Sequence, residues 1–319
     1  MNKVILLTGV AGFIGSHTAK YLLERGDTVV GVDNMNDYYS VELKESRIKR
    51  LSADPHFHFY QVDIADETVM GQIGSAHKID AICHLAAQAG VRYSLEHPLT
   101  YIHSNILGTT VIFELAKKWK ISHVVYASSS SVYGNSPADK PFAEDINTDQ
   151  PISLYAASKK ACEVIAHTYY HLYDIQATGL RFFTVYGPWG RPDMAAYKFA
   201  TAILADQPID VYNYGKMKRD FTYIDDIVRG IVASLDMPLG YQLFNLGGSN
   251  TVELSYFIEL LEKNLGKEAK KNLLPMQAGD VPGTSADISK AQKLLDWTPR
   301  VAIEEGVRNF CQWFLQYHN

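Results

Sequence analysis

The sequence is poor in cysteine, has no long apolar run and carries no excess of positive charge. Its 319 residues include three cysteines (Cys83, Cys162 and Cys311) that form no CxxC pair, so we expect reduced, structural thiols in a cytoplasmic protein. No stretch approaches the roughly 20 apolar residues of a membrane-spanning helix, and the apolar run at residues 4–7 is too short for an export signal. The formal net charge of -5 argues against a general nucleic-acid surface. We therefore expect neither membrane nor nucleic acid as a partner, and no metal site.

Short apolar segments alternate with amphipathic ones through the first half of the chain. Strands are predicted at residues 4–7, 28–32, 57–61, 81–85 and 123–127, and helices at residues 15–25, 106–118 and 156–173. This alternation predicts βαβ units and a buried parallel sheet, hence an α/β fold. We place a division near residue 180, with a nucleotide-binding half at 1–180 and a substrate-binding half at 181–319. Within the second half, residues 220–246 contain a helix and a strand that we expect to return to the first sheet.

A glycine-rich loop follows the first predicted strand, where residues 8–15 read TGVAGFIG. Glycines at this spacing permit a tight turn and close approach of the backbone to a pyrophosphate, which the following helix N-terminus attracts. Asp33 ends the second predicted strand, where a carboxylate accepts hydrogen bonds from the adenosine ribose hydroxyls. Because that acid repels a 2′-phosphate and no arginine adjoins it in sequence, NAD is predicted over NADP. The alternative is an ordinary turn followed by a strand-end aspartate.

Further cofactor contacts are predicted where the later strands end. Asp63 and Ile64 suit the adenine edge, and small residues after the fourth strand leave room for the cofactor. His84 precedes that small-residue turn, so we interpret it as a hydrogen-bonded strand histidine rather than a catalytic base. The predicted NAD contacts are Gly9, Gly12, Phe13, Ile14, Gly15, Asp33, Asn34, Asp63, Ile64, Leu85, Ala86, Ala87, Gln88, Asn105, Tyr155, Lys159 and Phe182.

Tyr155 and Lys159 are four residues apart at the start of a predicted helix, and this spacing places both side chains on one helix face. A free phenol ionises near pH ~10 and is a poor base at neutral pH. A nearby ammonium, or the positive nicotinamide of bound NAD, favours the phenolate. The pair therefore predicts a general acid/base, with the serine run at residues 128–131 supplying hydroxyls at the same sheet edge.

The glycine-rich loop, the SSSSVYG segment at residues 128–134 and the YxxxK pair together resemble the extended short-chain dehydrogenase/reductases. The similarity runs nearly the whole chain, as far as DVP at residues 280–282 and LDWTP at 295–299. It implies a Rossmann doubly wound sheet with a smaller α/β C-terminal domain that holds a UDP-sugar. It also implies that Ser129, Tyr155 and Lys159 are catalytic.

Within that family, Ser130 and Ser131 stand where dehydratases carry an Asp-Glu pair, and Ser131 stands where UDP-glucuronate decarboxylases carry a glutamate. Residues 181–195 and 33–39 resemble those of UDP-glucuronate 4-epimerases, which implies epimerisation of UDP-glucuronate to UDP-galacturonate through a 4-keto sugar. Other UDP-hexose 4-epimerases, a decarboxylase and a non-catalytic NAD-binding sensor are the alternatives. The implied substrate contacts are Ser129, Ser130, Thr184, Arg191, Val211, Tyr212, Arg219 and Asp280.

The resemblance also implies a homodimer. Two predicted amphipathic helices, 106–118 and 156–173, would pair across a two-fold axis as a four-helix bundle, although the same apolar stripes would serve an internal core.

Overall fold

The computed structural model describes residues 2–136, 140–276 and 283–318, and a parallel sheet lies at its centre. The strands are β1 (Val4–Thr8), β2 (Thr28–Asp33), β3 (Phe57–Gln61), β4 (Ala81–His84), β5 (His123–Ser129), β6 (Gln176–Phe182), β7 (Thr184–Tyr186), β8 (Ile209–Val211), β9 (Lys218–Tyr223), β10 (Tyr241–Leu246), β11 (Thr251–Glu253) and β12 (Lys271–Leu273). The strands predicted from sequence are confirmed to within two residues at each end.

Helices cover both faces of this sheet. They are α1 (Phe13–Glu24), α2 (Val41–Leu51), α3 (Glu67–Ala76), α4 (Tyr93–Glu96), α5 (Pro98–Tyr101), α6 (Gly108–Trp119), α7 (Leu154–Tyr173), α8 (Ala195–Leu204), α9 (Ile224–Asp236), α10 (Leu254–Leu265), α11 (Ser289–Leu295) and α12 (Ile303–His318). A π-helical turn at Ile102–Leu107 leads directly into α6, and 3-10 turns lie at Ser130–Tyr133 and Tyr212–Gly215. No helix in the described ranges is long and apolar enough to cross a membrane.

The central sheet has seven parallel strands in the order β10-β6-β5-β4-β1-β2-β3. The chain fills one side of β1 with β2 and β3 and then crosses to β4 on the other side. This order is the doubly wound arrangement predicted from the sequence, and its strand order reverses between β1 and β4. In such sheets ligands bind in the crevice at the carboxyl ends of the strands beside the reversal.

Apolar side chains on both faces explain why β1 lies at the centre. Ile5, Leu6 and Leu7 are fully buried. Because successive strand residues point to opposite faces, Leu6 packs into one apolar cluster while Ile5 and Leu7 pack into the other. Near-continuous apolar runs of this kind are typical of parallel strands covered by helices on both sides.

The second half of the chain contributes to the central sheet and also forms two smaller sheets. β10 pairs in parallel with β6, with Leu246 opposite Phe182. β9 lies between β7 and β11 in a three-stranded sheet, and β8 pairs with β12. The parallel pairing of β7 with β9 places Thr184 opposite Phe221.

Candidate active site

A cavity of about 590 Å³ opens at the carboxyl edge of the central sheet, beside the reversal of strand order. Most residues predicted to contact cofactor or substrate line it, although they come from both halves of the chain. Those residues are Gly9, Gly12, Phe13, Ile14, Gly15, Asp33, Asn34, Asp63, Ile64, Leu85, Ala86, Ala87, Gln88, Ser129, Ser130, Tyr155, Lys159, Phe182, Thr184 and Arg191.

Two glycine positions in the glycine-rich loop leave no room for a side chain. Gly9 has a φ of +74°, and a Cβ there would lie 2.7 Å from the backbone nitrogen of Ala86. A Cβ on Gly15 would lie 2.0 Å from the carbonyl oxygen of Gly9. The loop backbone therefore packs directly on the residues after β4, and the first turn of α1 starts at the cavity with amides that have no partner within the helix. This arrangement fits a dinucleotide pyrophosphate.

Asp33 lines the cavity from the end of β2, with each carboxylate oxygen engaged by one backbone amide. Ala11 N–H donates to Oδ2 at 3.1 Å and Met35 N–H donates to Oδ1 at 2.9 Å. Burial raises the pKa of this carboxyl, and the two amides oppose the shift. A carboxylate oxygen can accept two hydrogen bonds, so each oxygen of Asp33 can also accept one from a hydroxyl of a ribose diol.

Asp63 follows β3 on the same side of the cavity. Its Oδ1 accepts from Ala65 N–H at 2.9 Å, and its Oδ2 lies 3.2 Å from Nε2 of His103. Partial burial raises the pKa of Asp63, but these two hydrogen bonds outweigh it and the net pKa is lowered. Asp63 is therefore held as an acceptor beside the predicted adenine position.

Ser129, Tyr155 and Lys159 all line this cavity. Ser153 caps α7 by accepting a hydrogen bond from Ala156 N–H at 3.1 Å, so Tyr155 lies in the first turn. Lys159 is 4% exposed, and its Nζ donates to the carbonyl oxygen of Ala127 at 2.9 Å. This bond brings the ammonium to the end of β5, which carries Ser129.

His84 is held within the sheet, as predicted. Its Nδ1 lies 2.8 Å from Thr8 Oγ1 and its Nε2 lies 3.1 Å from Thr109 Oγ1. Burial lowers the pKa of His84 to about 3. The imidazole is therefore neutral at physiological pH, and it does not line the cavity.

Four of the predicted contacts among the described residues do not line the cavity. Asn105 is buried behind the cavity wall, where its Nδ2 donates to Gln88 O at 3.1 Å and to Ser158 Oγ at 2.8 Å. It thus joins the turn after β4 to α7 and does not itself line the cavity.

Val211 and Arg219, on β8 and β9, are also outside the lining. Tyr212 approaches the rim, since the guanidinium of cavity-lining Arg92 lies 5.9 Å from its ring centroid. Asp280 lies outside the described residues.

Arg191 enters the cavity already paired with an acid. Its Nε donates to Asp193 Oδ1 at 3.0 Å and its Nη2 donates to Oδ2 at 2.5 Å. The hydroxyl of Tyr38 also donates to Asp193 at 3.1 Å, which joins the β2–α2 loop to the second half of the chain. Burial alone would lower the pKa of Arg191, but Asp193 raises it, so the guanidinium is charged.

A buried cation near Asp33 was not predicted from the sequence. Lys44, on α2, lines the cavity and is 4% exposed. Its Nζ donates to the carbonyl oxygen of Asn36 at 2.5 Å and to Asn36 Oδ1 at 2.7 Å. Burial lowers the pKa of Lys44, and the charge of Asp33 opposes that shift. No helix was predicted at Val41–Leu51, so this lysine carried no signal in the sequence.

The chain is similar over nearly its whole length to known proteins. The family model described as GDP-mannose 4,6 dehydratase matches residues 6–310. A UDP-glucuronate 4-epimerase of Thermodesulfobacterium geofontis is 48% identical over 310 residues, covering 97% of this chain and 95% of that protein. An uncharacterised protein of Methanocaldococcus jannaschii is 54% identical over 316 residues, covering 98% of this chain and 97% of that protein. The crystal structure of a UDP-glucuronic acid 4-epimerase from Bacillus cereus, in complex with UDP-glucuronic acid and NAD, has a TM-score of 0.92 at 36% identity, covering 98% of this chain and 99% of that one.

Proposed function

Because the chain belongs to the extended short-chain dehydrogenase/reductase family, we propose that it catalyses the NAD-dependent 4-epimerisation of UDP-glucuronate to UDP-galacturonate. The observation that carries this proposal is one cavity that joins a dinucleotide loop to a serine–tyrosine–lysine set. Near full-length similarity to UDP-glucuronate 4-epimerases supports the substrate.

NAD fits the residues at the adenosine end of the cavity. The glycine-rich loop and the first turn of α1 would hold its pyrophosphate, and Asp33 would accept from its ribose hydroxyls. When bound, NAD supplies the hydride acceptor, and later the hydride donor, for C4 of the sugar. Because the cofactor ends each cycle in its starting state, the enzyme needs no supply of it.

Tyr155 is proposed to act as the general acid/base. Its phenolate oxygen takes the proton of the sugar 4-hydroxyl as C4 is oxidised, and the resulting phenol returns that proton to the oxygen when C4 is reduced. Ser129 shares a hydrogen bond with the same oxygen. Lys159, held by Ala127 O, orients the nicotinamide ribose. Rotation of the 4-keto sugar between the two steps presents its other face and inverts C4.

The side chains around the reacting sugar disfavour dehydration. Ser130 and Ser131 line the cavity where dehydratases of the family carry an acid pair. The carboxylates that line the cavity, among the described residues, are Asp33, Asp63 and Asp193. Asp33 and Asp63 accept backbone amides and Asp193 is paired with Arg191. No described cavity residue is therefore placed as a free acid for elimination.

The substrate carboxylate must be restrained during turnover. A 4-keto uronic acid is a β-keto acid, which loses CO2 when its carboxylate stands perpendicular to the ketone plane. Ser130, Thr184 and Arg191 are proposed to hold the carboxylate away from that geometry through directed, charge-assisted hydrogen bonds. Loss of this restraint would yield a pentose product.

The uridine diphosphate is proposed to extend from the cavity into the second half of the chain, residues 181–319. Tyr212, with Val211, would pack against uracil; Arg219 would meet the diphosphate and Asp280 the uridine ribose. The proximity of Tyr212 to cavity-lining Arg92 supports this direction, because it places an aromatic ring at the rim. The division of labour between residues 1–180 and 181–319 follows from the same proposal.

The protein is proposed to be a cytoplasmic homodimer. Exposed apolar side chains lie on α4, α5 and α7, where Leu95 is 71% exposed, Leu99 78%, Val164 55% and Leu172 58%. Large exposed apolar side chains become an interaction site when they cluster, and a second copy would cover them. Light scattering at micromolar concentration should give twice the chain mass, and Leu99→Lys should reduce the measured mass.

The three buried free cysteines are consistent with a reducing compartment.

Parallel assays with UDP-glucuronate, UDP-glucose and UDP-N-acetylglucosamine test the proposed substrate. We expect kcat/KM to be highest for UDP-glucuronate, because Thr184 and Arg191 offer donors to a carboxylate. A preference for either neutral sugar would move the assignment to another 4-epimerase. Binding of NAD without conversion of any UDP-sugar would favour a non-catalytic sensor.

A further inference from the structure

A buried ion pair lies beside the serine segment, which we define as residues 128–133. The side chains of Glu163 and Arg181 are each 2% exposed. Arg181 Nε donates to Glu163 Oε1 at 2.8 Å, and Arg181 Nη2 donates to Oε2 at 2.9 Å. This pair joins α7 to β6, and neither side chain lines the cavity.

The pair holds both ends of the serine segment. Ser128 Oγ donates to Glu163 Oε1 at 2.7 Å, and Arg181 Nη1 donates to the hydroxyl of Tyr133 at 3.0 Å. The Tyr133 hydroxyl in turn donates to Asn245 Oδ1 at 2.7 Å, which fixes its direction. The serines at 129–131 lie between these two anchored residues. Their hydroxyls are therefore located by an ion pair that they do not touch.

The same glutamate determines where α7 lies against β5. Glu163 is four residues after Lys159 and eight after Tyr155, on one side of the helix. Lys159 joins α7 to Ala127 O, and Glu163 joins it to the next residue, Ser128. A helix rises about 1.5 Å per residue, so a slip of one residue would move Tyr155 by that distance relative to the serines.

Stability alone is a weak explanation for such a pair. Two charges lose their hydration on burial, and replacing buried pairs by apolar residues is often neutral or stabilising. Apolar packing, however, tolerates sliding, whereas the planar fork of an arginine against a carboxylate has a fixed direction. The Glu163–Arg181 pair therefore supplies directed contacts where two catalytic elements meet.

We propose that Glu163, oriented by Arg181, is a positioning residue for the reaction. It holds Ser129 and Tyr155 at the separation that lets both hydroxyls reach one sugar oxygen. Glu163 acts through these residues and does not contact substrate. This inference rests on the proposed function, since it assigns Ser129 and Tyr155 to the same oxygen.

Two mild substitutions test the inference while leaving the ion pair in place. Ser128→Ala removes the link to Glu163, and Tyr133→Phe removes the link to Arg181. We expect kcat to fall by about 10- to 100-fold in each, because small misplacements of reacting groups have effects of this size. The KM for UDP-glucuronate should stay within about twofold, since ground-state binding is untouched. Ser234→Ala is the matched control, because Ser234 is a buried serine whose hydroxyl donates within α9, to Gly230 O at 2.8 Å.

The double variant and the melting temperature separate positioning from stability. The hydroxyls of Ser128 and Tyr133 both act through the Glu163–Arg181 pair. The fold-loss of kcat in the double variant Ser128→Ala with Tyr133→Phe should therefore be smaller than the product of the two single fold-losses. Wild-type kcat in both single variants would overturn the inference, as would a kcat loss matched by loss of folded protein. A wild-type enzyme that leaves UDP-glucuronate unchanged would instead contradict the proposed function. The variants would then be compared on the UDP-sugar that the wild type epimerises.

Discussion

Gly15→Ala tests whether NAD binding by the glycine-rich loop depends on the close packing of its backbone. The added Cβ would lie 2.0 Å from the carbonyl oxygen of Gly9, 2.8 Å from its carbonyl carbon and 3.1 Å from Val10 Cα. All three neighbours are backbone atoms, so no side chain can rotate away. Reaching an ordinary contact of 3.4 Å requires a displacement of about 1.4 Å. That movement would disturb the Gly9 carbonyl, which accepts from Gly12 N–H at 3.0 Å.

The effects of Gly15→Ala on stability and on NAD affinity can be estimated from these contacts. Overpacking of a close-packed site costs about 1–3 kcal/mol, against a gain of about 1 kcal/mol for alanine over glycine in a helix. Stability should therefore fall by at most about 2 kcal/mol. Cofactor binding should fall further, because a displaced loop loses charge-assisted bonds worth about 1.5–3 kcal/mol each. We expect the Kd for NAD to rise by about 100-fold or more.

The assay is the NAD content of the purified protein, followed by titration of the cofactor-free form. Gly71→Ala is the matched control, because Gly71 is also helical, in α3, and its nearest neighbour would be Leu115 Cδ2 at 3.9 Å. That variant should retain NAD and be as stable as the wild type or slightly more so. Retention of NAD at the wild-type level by Gly15→Ala would refute the steric reasoning.

Three further predictions concern the catalytic tyrosine, cofactor choice and pH. Tyr155→Phe should abolish turnover while circular dichroism and melting temperature stay unchanged; wild-type-like turnover would exclude the proposed role. Asp33→Ser should raise NADPH affinity by about tenfold or more, because Lys44 can then meet the 2′-phosphate, and adding Lys44→Met should remove the gain in a fluorescence titration. Burial lowers the pKa of His84 to about 3, so the unfolded state binds a proton that the folded state does not. Between the ordinary histidine pKa of 6.5 and about 3, each unit by which the pH falls should lower the free energy of unfolding by about 1.4 kcal/mol through this histidine. His84→Gln should flatten that slope in denaturant titrations.

The local features of the fold were predictable from sequence because buried parallel strands are apolar on both faces. Residues 57–61 were predicted with the observed bounds, since they form a short run rich in aromatic residues. The glycine-rich loop was equally predictable because its residues are contiguous in sequence, and Asp33 because it ends the strand that pairs with β1. Prediction was least accurate where helix geometry changes. The π-helical turn at Ile102–Leu107 turns Asn105 into the interior, which no 3.6-residue periodicity indicates.

The contacts that arrange the site are long-range. Lys44 reaches the cavity only because the β2–α2 loop folds back on itself, and Glu163 meets Arg181 only when α7 packs on β6. Such pairings depend on the crossing of elements and carry no local pattern. For Arg191 the sequence indicated a charge for a carboxylate, but its partner in the structure is Asp193, two residues away. A motif identifies which residue types are present, and packing decides which of them meet.

NMR of UDP-glucuronate incubated with the purified protein, without added NAD, tests the central claim most directly. We predict the appearance of UDP-galacturonate, because Tyr155 and Ser129 are proposed to act at the 4-hydroxyl of the sugar while the cofactor is regenerated in place. UDP-xylose or a persistent 4-keto pentose would contradict the proposed restraint of the carboxylate by Ser130, Thr184 and Arg191. Unchanged UDP-glucuronate, even after NAD is added, would contradict the epimerase assignment itself.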